Sequence, residues 1–382
     1  MEIKTRFAPS PTGSMHIGSV RTALYAYLIA KKAKGIFSLR IEDTDQARLV
    51  EGSVEDIIAT LKWLGLEFDG EIIYQSKRQD IYKEHAKKLV DGGFAYENMG
   101  AIYFKTKKEG KSKIIDLVGN REIEFENSTQ DDFVILKSGS YPTYHLAHVV
   151  DDHLMETNPV IRGAEWISSI PKHVQLFEAF GWVIPQYAHL PPSSGKEILS
   201  IDEMIEGFDL GDVNLANPVF DITKLEWMNG EYIRKLSDGE LLKKLQEFLV
   251  DHSNKQKISL VVPLIKERIK KLSDFVPLTD FLWEVPEYDK QEFDKLKVKS
   301  KKEILTKILE KMENMEKPWR TDVFEKTFRE LAEELGEKAG DLFQLIRVAV
   351  SGQLVTPPLF ESIKILGEEE TLIRVESAIG LW

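Results

Sequence analysis

The residues His16-Ile-Gly18 carry the first hint of chemistry in this chain. They open a helix directly after a turn built on Pro9, Pro11 and Gly13. The free amides of a helix N-terminus favour an anion, and a phosphate fits them well. His16 can donate a hydrogen bond to a phosphate or ribose oxygen. Gly18 leaves room for a nucleotide to approach the helix backbone. Taken alone, a His-x-Gly is better explained as a capped helix with a surface histidine.

The elements around this segment give it a setting. Residues 3–8 read as a buried strand, and residues 16–34 as a helix with Ile17, Val20, Leu24, Tyr27 and Leu28 at helical spacing. Gly35 can stop that helix, and Ile36 to Ile41 reads as a second strand. Ser53 with Asp56 makes a capping-box pattern for a helix carrying Val54, Ile57, Ile58, Leu61 and Leu64. Strand, helix, strand, helix in this order predicts a parallel sheet with crossover helices. Residues 101–136 then alternate in short stretches, as a small β-rich insertion would. The α/β character resumes at residues 144–150 and at Val160-Ile161, with a further helix over 171–180 capped by Ser169. Beyond about residue 200 strand patterns vanish, and Leu241, Leu242, Leu245 and Phe248 begin a series of helical stripes.

Composition narrows the possibilities. The chain has 382 residues, 42% hydrophobic and 30% charged, which suits two or three folded domains. It has no cysteine, so disulfides, thiolate nucleophiles and cysteine-based zinc sites are excluded. Its start lacks the apolar core of a secretory signal, and no apolar run approaches a membrane span. The net charge of −12 speaks for solubility, and it says little about local basic patches such as Lys266, Arg268, Lys270 and Lys271.

The longer motifs settle the allegiance of the first turn. Arg6 is followed by Phe7-Ala-Pro-Ser-Pro-Thr-Gly13 and then His16-Ile-Gly-Ser19, which resembles the "HIGH" signature of class I aminoacyl-tRNA synthetases in its glutamyl/glutaminyl form. Leu39-Arg-Ile-Glu-Asp-Thr-Asp45, Pro142-Thr-Tyr-His-Leu-Ala147, Val149-Val-Asp-Asp-His-Leu-Met155, Ile161-Arg-Gly-Ala-Glu-Trp166 and Ser168-Ser-Ile-Pro-Lys172 follow in the order of that family. The chain is identified as a member of the glutamyl-tRNA synthetase family, bacterial or organellar type. The resemblance implies an α/β Rossmann-type catalytic domain with a small β-rich insertion, followed by an all-α C-terminal half. Its implied divisions are 1–93 and 137–192 for the two halves of the catalytic domain, and 94–136 for a shortened acceptor-binding insertion. Residues 193–290 would form a stem-contact helical domain and 291–382 an anticodon-binding one. Phe220-Asp221, Glu226-Trp-Met-Asn-Gly230 and Tyr232-Ile-Arg-Lys235 resemble the stem-contact segment, and Leu342-Phe-Gln-Leu-Ile-Arg347 the anticodon domain.

The resemblance also implies roles. Arg6 and Arg162 are the candidates for the side-chain carboxylate of glutamate, because a guanidinium binds a carboxylate bidentately. Glu42 would take the α-ammonium, with Ala8, Ser10 and Tyr144 completing the pocket. His16 and Gly18 would act at the ATP phosphates, and Glu165 would contact ATP. Read without the family, Arg6 and Glu42 are equally a buried ion pair tying two strands together. The implied partners are L-glutamate, ATP with Mg²⁺, and tRNA-Glu, with no protein metal site, no structural zinc, a monomeric state and a cytoplasmic setting.

One signature is missing. The family's second nucleotide element, the "KMSKS" lysine loop, should follow Ala188-His-Leu-Pro191, but Pro191-Pro-Ser-Ser-Gly-Lys196 runs straight into Glu197-Ile-Leu-Ser200. Lys196 reads as a solvated loop lysine. A second shortfall lies near Tyr96-Glu-Asn-Met-Gly100, within the connective insertion. Both gaps fall at surface places where chain order is often lost, which favours segments missing from this sequence over true deletion. Two other functions compete. A shorter paralogue that glutamylates a modified tRNA base would lack the helices beyond residue 290. A catalytically impaired paralogue that binds tRNA or protein would fit a true loss of the lysine loop.

Overall fold

Strand β1 (Lys4–Phe7) pairs in parallel with β2 (Ile36–Ile41), placing Arg6 opposite Ser38, and β2 pairs in parallel with β3 (Ile73–Tyr74). This is seen in a computed structural model that describes residues 2–190, 199–213, 221–249 and 255–382. The chain divides into two units, Met1–Val219 and Phe220–Trp382.

Helix α1 (Ile17–Lys32) carries the chain from β1 to β2. Its inward positions Ala23, Ala26 and Ala30 are fully buried, and small side chains there let the helix lie close on the sheet. Thr5 Oγ1 donates to Ala26 O at 2.7 Å and fixes that approach. Helix α2 (Ser53–Trp63) buries Ile57 and Leu61 as its periodicity predicts. Its start differs from the expected capping box. Gly52 is the N-cap and Ser53 the first helical residue. The Ser53 hydroxyl is instead a donor, reaching Val50 O at 2.6 Å and Pro11 O at 2.9 Å, which ties α2 to the turn after β1.

Helix α3 (Gln79–Asp91) precedes the β-rich stretch. There β4 (Ala95–Asn98), β5 (Ala101–Phe104) and β8 (Phe133–Leu136) form an antiparallel sheet in the order β4-β5-β8. The β4–β5 turn closes over two residues, Met99 at φ 48° and Gly100 at φ 76°. Both are left-handed, as the twist of a two-residue hairpin requires. The hairpin of β6 (Lys111–Asp116) and β7 (Arg121–Glu126) belongs to a different sheet. It extends β9 (Val160–Gly163) and β10 (Tyr187–Leu190) in the order β7-β6-β10-β9, so the stretch read as one insertion feeds two sheets.

Helix α4 (Tyr144–Leu154) leads into β9, and α5 (Ile170–Phe180) carries β9 over to β10 as a parallel crossover. Strand β1 meets the β9 end of this second sheet. Lys4 and Asn158 exchange backbone hydrogen bonds, and Arg6 Nη1 donates to Ile161 O at 3.1 Å. Crossovers run away from this junction on both sides, to β2 one way and to β10 the other. In open α/β sheets such a reversal is where ligands bind.

Helix α6 (Ile201–Gly207) is the last α-helix among the described residues of the first unit. In the second unit every described element is helical. Helices α7 (Ile222–Lys235), α8 (Asp238–Phe248), α9 (Lys255–Ile265) and α10 (Phe275–Thr279) gather around Leu241, Leu245, Ile258, Val262 and Phe275. Helices α11 (Lys290–Asp294), α12 (Lys301–Glu313), α13 (Thr321–Leu335), α14 (Ala339–Ser351), α15 (Leu359–Leu366) and α16 (Glu368–Ile379) surround Phe293, Ile308, Phe328, Leu345 and Val375. No helix among the described residues is long and apolar enough to cross a membrane. Lys196, Phe220 and the segment expected to hold the lysine loop lie outside the described residues.

Candidate active site

The turn after β1 is pinned by its own carbonyls. Pro9 O accepts from Glu42 N at 2.9 Å, and Pro11 O accepts from Val50 N at 3.1 Å. Half-buried Ala8 and exposed Ser10 therefore sit in a loop fastened to the end of β2. His16 is the N-cap of α1. Its Nδ1 accepts from Gly18 N at 3.1 Å, and its Nε2 lies 3.2 Å from Ser19 Oγ. A Cβ added at Gly18 would stand 2.9 Å from His16 Cε1, so the close approach this glycine permits is made by the histidine ring itself. Here His16 has the position of a capped-helix surface histidine.

Behind that turn lies a charged network that reaches across both sheets. Arg40 lies on β2 and Glu42 directly follows its last residue; Arg40 Nη2 donates to Glu42 Oε1 at 3.0 Å. Arg40 Nη1 donates to Asp152 Oδ1 at 2.6 Å. Arg6 grips the same carboxylate bidentately, through Nε at 2.9 Å and Nη2 at 3.2 Å. Arg6 and Glu42 thus form no pair with each other; each is held by a third residue. Burial would push the Asp152 carboxyl up, but the guanidinium groups of Arg6 and Arg40 hold it well below the usual range. For Glu42 burial prevails over Arg40 and Arg6, and its carboxyl is raised.

Asp152 comes from α4, where Tyr144, His148 and Asp152 are spaced by four and line one face. His148 Nε2 lies 3.2 Å from Asp152 Oδ2. The Tyr144 ring stands 5.1 Å from His148 and 4.3 Å from Trp166. Burial drives the Tyr144 hydroxyl up to about 12, so it stays a neutral donor. The neighbouring Asp151 turns the other way and accepts from Gln75, Arg78 and Tyr82 at 2.6–2.9 Å, anchoring α4 to α3 and the turn before it.

Arg162, on β9, is buried in different company. Its Nε donates to His189 Nε2 at 3.0 Å, its cross-strand neighbour on β10, and its Nη1 faces His173 Nδ1 at 3.1 Å. Nη2 has no hydrogen-bond partner among the described residues. His173 continues to His145 Nδ1 at 3.1 Å and stacks on His148 at 4.5 Å. Burial is the first cause lowering each of these imidazoles, His145 to about 4 and His148 and His173 well below the usual value. All are neutral near pH 7. Arg162 is therefore held by neutral acceptors, while Arg6 is held by a carboxylate.

The structure thus links Arg6, Glu42, Tyr144 and Arg162 into one contiguous cluster, through Asp152, Arg40, His148 and His173. It does not link His16 or Gly18 to them by any described hydrogen bond, and Glu165 is exposed at the end of β9. Sequence reasoning passed over Arg40, Asp152, His173, His189 and Asp116. The first two left a signal, in their spacing from Glu42 and Tyr144. No group of three or more His, Asp or Glu among the described residues is arranged to hold a metal ion.

Known proteins resemble this chain along its whole length. The family described as tRNA synthetases class I (E and Q), catalytic domain, matches residues 2–101 and 97–200, and the anticodon binding domain family matches residues 240–379. A glutamate–tRNA ligase of Dehalococcoides mccartyi is 36% identical, the alignment covering 99% of this chain and 98% of that protein. The chain belongs to the glutamate–tRNA ligase family. A glutamate–tRNA ligase of Clostridium botulinum is 37% identical over 100% of this chain and 99% of its own length. The crystal structure of a glutamate tRNA ligase from Elizabethkingia meningosepticum, in complex with its amino acid, superposes with a TM-score of 0.81 at 27% identity, covering 100% of this chain and 99% of that one. A glutamate-tRNA synthetase from Elizabethkingia anophelis gives 0.80 at the same identity, with both chains covered in full. The alignment with the Dehalococcoides enzyme spans 479 positions against 382 residues here, so stretches of that relative face no residue of this chain. The two pieces of the catalytic match meet at residues 97–101, on the Met99–Gly100 hairpin turn.

Proposed function

We propose that this chain activates L-glutamate with ATP as glutamyl-adenylate and transfers the glutamyl group to the 3′ end of tRNA-Glu. The observation that carries the reading is Arg162, a buried guanidinium whose Nη2 has no hydrogen-bond partner among the described residues and whose Nε and Nη1 face neutral imidazoles. Leaving such a group unpaired costs on the order of 1–3 kcal/mol, which an incoming carboxylate would recover. A planar cation of this kind reads the side-chain carboxylate of glutamate.

The remaining roles follow from placement. Glu42 lies at the end of β2 beside the turn and takes the α-ammonium. Arg6 uses three of its five N–H groups on Asp152 and Ile161 O, which leaves two for substrate. Tyr144, a neutral donor, orients the amino acid between them, with Ala8 and Ser10 forming the wall. ATP would lie over the start of α1, with His16, Gly18 and Glu165 as its contacts. Mg²⁺ arrives on the phosphates as part of that substrate. The α-carboxylate attacks the α-phosphorus and pyrophosphate leaves; the ribose hydroxyl of the tRNA end then displaces AMP from the acyl carbon. No covalent enzyme intermediate is needed, because alignment and charge stabilisation supply the rate. The setting we propose is a cytoplasmic monomer, on the family resemblance and the absence of cysteine.

Glutamate-dependent ATP–pyrophosphate exchange, run with and without tRNA, tests this reading. Exchange is expected in the natural sequence and is lost in Arg162→Ala. Near-normal exchange in that variant would sink the assignment. Intact tRNA binding with no exchange in the unaltered chain would point to an impaired paralogue instead.

A further inference from the structure

Asp116 and His189 have no task in the reaction just described, although both are completely buried behind Arg162. Resting on the reading of Arg162 as the carboxylate receiver, we propose that this pair is a positioning device. By fixing the tautomer of His189, it holds the guanidinium in place without neutralising it, and so leaves Nη2 for the substrate.

The geometry allows one proton arrangement. Asp116 Oδ1 accepts the backbone N–H groups of Val118 at 3.0 Å and His189 at 3.1 Å. Asp116 Oδ2 lies 2.9 Å from His189 Nδ1. Burial would raise this carboxyl, but the hydrogen bonds from His189 hold it below its ordinary value. It is ionised and can only accept, so His189 Nδ1 carries the proton. Burial also keeps His189 neutral, and its Nε2 then presents a lone pair to the Nε–H of Arg162. On the other side His173 Nδ1 accepts from Nη1, with its own Nε2–H directed to His145.

Two neutral imidazoles thus fix the guanidinium plane. A carboxylate in either place would bind Arg162 as Asp152 binds Arg6, and would cancel the charge that distinguishes glutamate from its amide. The imidazoles give orientation and leave the charge intact. This makes Asp116 and His189 specificity-determining at one remove from the substrate, as outer partners of ligating histidines are at metal sites.

Asp116→Asn tests the device with almost no change of shape. Oδ1 is committed to two backbone amides, so the new NH₂ group takes the place of Oδ2, facing His189 Nδ1 and, at 3.5 Å, Arg121 Nη2. It donates to Nδ1, drives the imidazole proton to Nε2, and sets that N–H against the N–H of Arg162. The expected result is a rise in KM for glutamate on the order of 10–100-fold, with KM for ATP within about twofold. Histidine ¹⁵N spectra should show His189 protonated at Nδ1 in the unaltered protein and at Nε2 in the variant. An unchanged glutamate KM in a folded variant would overturn the proposal. So would an Nε2-protonated His189 in the unaltered protein, a measurement that stands even if the variant does not fold. Exchange lost in Arg162→Ala but normal in Asp116→Asn overturns this device alone; exchange retained in Arg162→Ala overturns the reading beneath it.

Discussion

Arg40 holds Asp152 through Nη1 at 2.6 Å while its Nη2 holds Glu42 at 3.0 Å, so one fully buried guanidinium fixes two acids with opposite tendencies. Asp152 shares three cationic or imidazole neighbours and stays ionised. Glu42 faces the end of the strand, where burial raises its carboxyl and a ligand ammonium would bring it back down.

Asp152→Ala strips the counter-charge from both Arg6 and Arg40. Breaking a buried pair by removing one partner costs about 3–5 kcal/mol, because it leaves charge uncompensated. The urea midpoint of the first unit should fall accordingly, and glutamate-dependent exchange should go with it. A midpoint within error of the unaltered chain would show that the network contributes no stability.

The buried histidines give stability a definite pH dependence. In the unfolded chain they titrate near 6.5, whereas in the fold burial lowers His145 to about 4 and holds His148 and His173 well below their usual value. Below the unfolded value the open chain binds protons that the folded one refuses, so stability is complete above it and falls on acidification. Each such imidazole contributes a slope of about 1.4 kcal/mol per pH unit within that window. Urea titrations between about pH 7 and about pH 5 should therefore show a steep loss, and a flat profile would mean that these rings are accessible to protons in the folded state.

Gly18→Ala would place a methyl group 2.9 Å from His16 Cε1 and 3.0 Å from Nδ1. The helix itself should tolerate alanine, since alanine is the best helix former. The ring must swing out of its capping position. KM for ATP should rise by about tenfold or more while KM for glutamate holds, as expected when one substrate's binding contacts alone are lost. A change in both, or in neither, would remove His16 from the nucleotide side.

The β1–α1–β2 order was legible because its apolar periods are long and its stops are unambiguous, from the buried Phe37 and Leu39 to the turn at Pro9 and Pro11. Helix α2 was legible in its stripe and illegible in its start, since Ser53 can accept from a helix amide or donate to a loop, and only the position of Pro11 O decides. Arg6, Glu42, Tyr144 and Arg162 came from motif resemblance, and the fold brings them together. Asp152 could have been found from its spacing with Tyr144 and His148. The Asp116–His189 contact could not: it joins residues 73 apart through the pairing of β6 with β10. Nothing in the local pattern of a β-hairpin announces which other strand it will lie beside.

The two-residue turn at Met99–Gly100 makes chain length an adjustable quantity at that point. Its strands depart and return at Asn98 and Ala101, which face each other across the ladder. Such neighbours stand about 5 Å apart, so a cassette whose own ends lie close together can be spliced in or excised there without altering pitch or packing on either side. Met99 projects wholly into solvent at 95% exposure, and no buried contact would be cut by the join. The catalytic scaffold thus carries a seam at which a change of length leaves the ladder on either side in register.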